Sequence, residues 1–325
     1  MFNWKKFIFF ILGGISLFYI LRSYGLNHIL TDFKKINFWI FPLLFTFLPT
    51  LFCYSLAWQL VTDQQLKWSR FFYFTKMTIV SIAWNNLTPF LKIAGEPLKV
   101  FMLMRGVSQK QAIKSVLIYN FVHILGTFLS IILSLFLIPL IFNVPDFLRT
   151  SLLIGGGIGI ILFLILILFS AKSQTFLKSL SNRKFFFRRP IFWLNWFVRV
   201  LSRFYRKDQQ RFMVVIFLET IARFIEGLTF YLAFYLLENP IHLITAAFLE
   251  VGRALIDNIF FFIPYQVGSR EAGIYFLMKE IFQLDPQGYL TSSFIYRLVE
   301  IVWMIIGYFL WLHFQDRKKL KISSH

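Results

Sequence analysis

The chain is dominated by long apolar runs without a single charge, such as Ser130–Phe142 and Ile158–Ala171. A helix of about 20 such residues crosses the roughly 30 Å hydrocarbon core of a bilayer. The short alternating segments of a transmembrane β-barrel are absent from the pattern. With 58% hydrophobic and 20% aromatic residues and a mean hydropathy of +0.67, the 325-residue chain reads as an all-α polytopic membrane protein forming one transmembrane domain. Six full spans are predicted, at about 7–23, 38–61, 113–142, 151–171, 212–237 and 289–314. The first follows Lys5-Lys6, and no small-residue cleavage site comes after it, so it is expected to be retained rather than removed as a signal peptide. The lone Cys53 can form no internal disulfide.

Charge sets the orientation. Residues 1–210 hold 24 Lys/Arg against 5 Asp/Glu, whereas residues 211–325 hold 10 of each. The basic excess sits in loops beside apolar helices, which points to membrane orientation and away from nucleic acid. Eleven of the Lys/Arg fall within 172–211, with Asp208 as the one acid there. Together with Lys5-Lys6 and the tail Arg317-Lys318-Lys319, this segment is expected on the cytoplasmic side of the plasma (inner) membrane, with both termini. Within it, Arg199, Arg203 and Arg206 share one face of an aromatic-rich stretch, 190–206, which suits an amphipathic helix lying on anionic cytoplasmic lipid.

Parity requires the remaining apolar segments, 73–105 and 241–284, to make an even number of crossings. Each carries a break. The first reads Pro89-Phe-Leu-Lys92-Ile-Ala-Gly95-Glu96, and the second Pro264-Tyr-Gln-Val-Gly268-Ser-Arg270-Glu271. Both run from Pro through six residues to Glu, with Asn85-Asn86 or Asn258 upstream. A helix does not continue through such Pro- and Gly-bracketed stretches. Each segment is therefore expected to be a re-entrant hairpin, the first entering from the cytoplasm within the half 1–171 and the second from outside within 212–325. The basic segment 172–211 would join the halves. Similar breaks approaching from opposite faces are the pattern of an inverted-topology repeat.

Charge also occurs where the bilayer should exclude it. Insertion of a charge at mid-membrane costs on the order of 3 kcal/mol. Yet Glu219, Arg223 and Glu226 make one stripe inside 212–237, and Glu250, Arg253 and Asp257 make another before Pro264. Lys92, Glu96 and Lys99 belong to the first hairpin, Arg270 and Glu271 lie at the second break, and Arg297 and Glu300 sit in the last span. Single pairs of this kind can be packing bridges, but the whole set implies a hydrated polar cavity. Arg253, Arg270 and Arg297 are expected to line it, with Glu96 and Glu271 within salt-bridge range. Helix N-termini after Gly95 and Ser269 would add donors suited to an anion. No HExxH, CxxC, GxSxG or Walker pattern occurs, and the five histidines show no ligand spacing, so no catalytic residue, cofactor or metal is expected. His123, on an apolar helix, reads as a packed or hydrogen-bonded residue.

The stretch Asn85-Asn86…Pro89…Gly95-Glu96-Pro97-Leu98-Lys99, then Gly106-Val107-Ser108 and Ala112, resembles the first signature of the lysylphosphatidylglycerol synthase transmembrane-region, or flippase-like, family. Pro264…Gly268-Ser269-Arg270-Glu271-Ala272, with Tyr296-Arg297, is similar to its second. Lys99 stands where the family often has Arg, and only Gly268 is clear where it has a Gly pair. The resemblance, covering about 7–314, implies a domain that moves lipids or lipid-linked polar groups between leaflets and is not itself an enzyme. Aminoacylating members carry a further soluble domain, for which a chain ending at His325 leaves no room. Lys99, Arg253, Arg270 and Arg297 would then grip a lipid phosphate. Glu96, Glu219, Glu226, Asp257 and Glu271 would balance them, bind amine or sugar groups, or carry protons. A membrane-embedded enzyme acting on a lipid or polyprenyl phosphate, and an accessory subunit of an envelope synthase, are the alternatives. The sequence leaves the oligomeric state, including a homo-oligomer, open.

Overall fold

The structure is a computed structural model that describes residues 31–32, 34, 36–62, 68–87, 94–181, 204–205, 208–285 and 288–316. The expected span 7–23, the break residues Pro89 and Lys92, and nearly all of the amphipathic stretch 190–206 lie outside them.

Among the described residues the chain is helical, without strands. A 3-10 turn, Asn37–Trp39, leads into α1 (Ile40–Phe45) and α2 (Leu48–Thr62). Pro49 has no N–H to donate, so the helix interrupts at Thr46-Phe47 and the Thr46 hydroxyl takes up the Leu43 carbonyl at 2.7 Å. There follow α3 (Trp68–Leu87), the short α4 (Gly95–Leu103) and the long α5 (Gln109–Ile141). A capping box between Ser108 and Gln111 starts α5 sharply. α6 (Asp146–Ser181) packs against α5.

The order of elements then recurs. α7 (Gln209–Ile225) and α8 (Leu228–Leu236) form a second interrupted helix. α9 (Leu243–Ile259), a break, and the short α10 (Ser269–Phe276) with a π-helical turn (Leu277–Ile281) follow. The long α11 (Tyr289–Asp316) closes the series. α2 packs on α7 and α3 on α11. The two interruptions meet, Thr46 Oγ1 lying 2.8 Å from Thr229 Oγ1.

Among the described residues, four helical stretches are long and apolar enough to cross a membrane: Asn37–Thr62, Gln109–Ile141, Asp146–Ile165 and Tyr289–Phe314. They coincide with four of the expected spans. The expected single span 212–237 is instead two helices. At the joint the Gly227 and Thr229 N–H groups bond three residues back, to Phe224 and Glu226, which tightens the turn. Gly227 is also where α9 comes closest: a Cβ there would lie 2.6 Å from the Ala246 carbonyl oxygen and the Ala247 Cα. Only a missing side chain permits that approach.

Two larger apolar clusters hold the bundle. One centres on Trp58, which stacks on Tyr119 (ring centroids 5.5 Å apart) and meets Phe74 edge-on. Its indole N–H donates to Ser115 Oγ at 3.2 Å. The other gathers Phe230, Phe234, Phe248, Leu249 and Ile274 from α8–α10 and Met278 from the π-helical turn. Charged groups collect between them.

Candidate functional site

A cavity of about 640 Å³ opens between the two halves of the bundle. Residues flanking both breaks line it: Asn85, Asn86, Glu96 and Lys99 from the first, Arg253, Asp257, Asn258 and Gln266 from the second. α5, α7 and α11 supply Asn120, His123, Arg223, Tyr296 and Glu300, and Glu226 faces it from the α7–α8 joint.

The first break is organised by Asn85 and Glu96. Asn85 Oδ1 accepts the Gly95 N–H at 2.7 Å and so caps α4, while its amide donates to Glu96 Oε1 at 3.3 Å. A Cβ on Gly95 would strike the Ser81 backbone, so the two arms of this unit touch there. Glu96 also accepts from Lys99 at 3.0 Å and from the Asn120 amide. The Lys99 ammonium lies 4.9 Å from the centre of the Tyr119 ring and 5.7 Å from that of Trp58. It is thus enclosed by a carboxylate, an amide and two aromatic faces.

A second group sits on α7. Glu219 is buried, and its Oε2 lies 2.6 Å from His123 Nδ1. Gly126 permits this, since any side chain there would collide with the Glu219 Cβ. One turn on, Arg223 donates to Glu226 Oε2 at 3.1 Å, lies over the Tyr54 ring and reaches within 3.5 Å of His123 Nε2.

The third group surrounds the second break. Arg253, buried, donates to both oxygens of Glu250 and to Asp257 Oδ2 at 2.6 Å. Its guanidinium covers the Tyr296 ring at 4.4 Å. Tyr296 ties the second and third groups together, accepting from Arg253 at 3.1 Å and donating to Glu226 at 2.8 Å. Arg270 bonds both oxygens of Asp257 (3.2 and 2.7 Å) and Glu300 at 2.8 Å.

The expectation that Arg253, Arg270 and Arg297 line one cavity meets only Arg253 in that position. Arg270 is 2% exposed and stands behind Asp257 and Glu300, which occupy its donors and face the cavity in its place. Arg297 and Glu271 also lie off the lining. Glu271 is wholly buried, accepting from the Gly268 N–H, the Ser293 hydroxyl and Arg297 (2.8–3.0 Å). Arg297 donates as well to the carbonyls of Tyr265 and Gln266. Those two residues have φ of 55° and 50°, and Gly268 has 81°. Arg297 and Glu271 therefore hold a left-handed turn that only Gly268 adopts without cost. Pro264 starts that turn. Glu219 is likewise behind the lining, reached through His123.

Tyr54, Tyr119, Asn120 and His123 belong to the site although they lie in apolar spans. The signal in the sequence was Tyr119, Asn120 and His123 clustered within one helical turn of an otherwise apolar α5. Among the described residues no group of three His, Cys, Asp or Glu is placed to hold a metal ion.

No curated protein and no solved structure matches the chain. The family model described as the lysylphosphatidylglycerol synthase TM region matches residues 7–307. That interval contains both breaks and every residue lining the cavity. The chain is an integral membrane protein that belongs to the lysylphosphatidylglycerol synthase transmembrane-region family, whose membrane domain is associated with phospholipid handling.

Proposed function

We propose that the protein moves a phospholipid, or a lipid-linked polar or sugar head group, between the leaflets of the plasma membrane without chemically altering it. The observation that carries this reading is the polar cavity between two helix breaks in an apolar bundle. Its volume of about 640 Å³ lies within the roughly 300–1,000 Å³ of ordinary small-molecule sites. A head group would enter it while the acyl chains stay among the lipid-facing helices. Apolar residues at its walls, among them Phe47, Ile82, Ile124 and Trp303, suit the passage of the glycerol and upper chain.

The short arms after the breaks support re-entrant hairpins. Nine residues of α4 rise only about 14 Å, less than half of the hydrocarbon thickness. The recurrence of interrupted helix, hairpin and long helix supports an inverted-topology repeat. In this reading Lys99, Arg223 and Arg253 meet the substrate, and Arg270 and Arg297 hold the walls. The basic segment 172–211 and both termini face the cytoplasm and its anionic lipid.

The test is reconstitution of the purified protein into liposomes carrying a fluorescent phospholipid in both leaflets. A membrane-impermeant reductant bleaches the outer leaflet. Translocation would expose the protected inner pool faster than in protein-free vesicles, and a panel of head groups would rank specificity. Equal rates for every head group with and without protein would refute the proposal.

A further inference from the structure

The cations at this cavity are already matched by acids, and acids remain. Among the described residues, Glu96, Glu226, Asp257 and Glu300 line it, with Glu219 and Glu250 directly behind. Against these stand Lys99, Arg223, Arg253 and Arg270. The Glu271–Arg297 pair cancels itself. Among the described residues the acids thus exceed the cations by two, in surroundings where an uncompensated charge is costly.

Among these carboxylates, Glu219 is bonded by a histidine instead of an arginine or lysine. It is 1% exposed and its Oε1 accepts no hydrogen bond, while its Oε2 meets the imidazole of His123 and the carboxylate also faces the Tyr119 hydroxyl. His123 is partly open to the cavity. Its surroundings assign the tautomer. Nε2 faces the Arg223 guanidinium, which can only donate, so Nε2 is the acceptor and Nδ1 carries the proton that Glu219 receives.

We infer that the His123–Glu219 pair is a proton-binding site of the cavity, taking one proton from the head-group compartment as the coupling ion of transport. The incoming proton binds Nε2, and the Nδ1 proton passes to Glu219 Oε2. One proton is taken up, the imidazole ends neutral as the other tautomer, and the carboxylate becomes a carboxylic acid. The surplus of negative charge falls by one. Nε2–H now points at a guanidinium that also only donates, so the Arg223 contact must break. Arg223 holds Glu226, Glu226 holds Tyr296, and Tyr296 holds Arg253. Protonation thus reaches the wall of the second break through an unbroken line of hydrogen bonds. Other groups facing the pair are Cys53 and Tyr54 from α2 and Tyr119 from α5, while Glu226 at the end of α7 and Glu250 and Arg253 on α9 act on it through Arg223.

This inference rests on the transport reading, but its first test does not. Infrared difference spectra of the purified full chain, acidified from about pH 8 to about pH 5, should show a carboxylic-acid C=O band. The band should be missing in folded Glu219→Gln. In His123→Gln, which keeps a donor to Glu219 but cannot relay a proton, it should appear only at more acid pH. In proteoliposomes, an imposed pH gradient should accelerate lipid translocation by the wild type, whereas the two rates of His123→Gln should coincide. A wild type without the band, or a band that persists in folded Glu219→Gln, overturns the inference. So does a His123→Gln protein that keeps both the wild-type midpoint and the acceleration. Should the wild type translocate no lipid at all, the transport reading fails, while the infrared band still decides whether the pair binds a proton.

Discussion

Arg270→Gln separates a substrate clamp from a structural cation. Arg270 is 2% exposed and bonds Asp257 twice and Glu300 once. Removing one partner of a buried ion pair costs about 3–5 kcal/mol. Two features place this case at the low end. Asp257 keeps Arg253 at 2.6 Å, and the Glu300 side chain, 28% exposed, can be hydrated from the cavity. Arg253→Gln has no such relief. Glu250 is fully buried and bonded by Arg253, and Tyr296 would lose a donor as well, so its cost should approach about 5 kcal/mol. With an unfolding entropy of about 2.1 cal/mol/K per residue, 3 and 5 kcal/mol correspond to losses of roughly 4 and 7 °C. Thermal melts in detergent with a native-tryptophan readout would measure both variants. Adding Glu300→Gln to Arg270→Gln should recover part of the loss, because the carboxylate that Arg270 bonds is removed together with it. An Arg270→Gln protein that melts like the wild type yet translocates no lipid would refute the structural role and return Arg270 to the substrate.

Tyr296→Phe removes the hydroxyl joining Arg253 to Glu226 and should cost about 1–3 kcal/mol by leaving both under-bonded, read in the same melts. Gly227→Ala should lower the yield of folded protein, since the new methyl meets the α9 backbone. Gly157→Ala, whose Cβ meets nothing within 4 Å, should leave size-exclusion profile and melting unchanged. A cysteine at position 185 in a Cys53-free background should resist an impermeant maleimide applied outside intact cells and react once they are opened. Labelling from outside would reverse the proposed orientation.

Four candidate spans were legible because each is a long, predominantly apolar helical stretch. The second break could be located from Pro264, Gly268 and Glu271 alone. The joint inside 212–237 could not, because Gly227 marks an approach of α9 from a distant part of the chain. The charged residues could be listed but not sorted. Arg253, Arg270 and Arg297 look alike in sequence, and only the placement of Asp257, Glu300 and Glu271 around them decides which faces the cavity. His123 and Tyr296 were hidden differently: each is tolerable on an apolar helix by itself, and each gains its role from a partner on α7 or at its end.

The arrangement of ion pairs also bears on how the protein is made. Arg253 bonds Glu250 and Asp257 three and four residues away on α9, and Arg223 bonds Glu226 three residues along at the end of α7. Each of these stretches can close its own counter-ion contacts as soon as it coils, before any neighbour arrives. During biogenesis the translocon therefore handles segments that are already largely neutral, and the insertion penalty of about 3 kcal/mol per lone charge is not met one residue at a time. The bonds between distant segments, from Arg270 to Asp257 and Glu300 and from Tyr296 to Glu226, can form later, when α10 and α11 dock. Glu219 also waits for a partner from another helix, but α5, which carries His123, has by then already emerged from the ribosome.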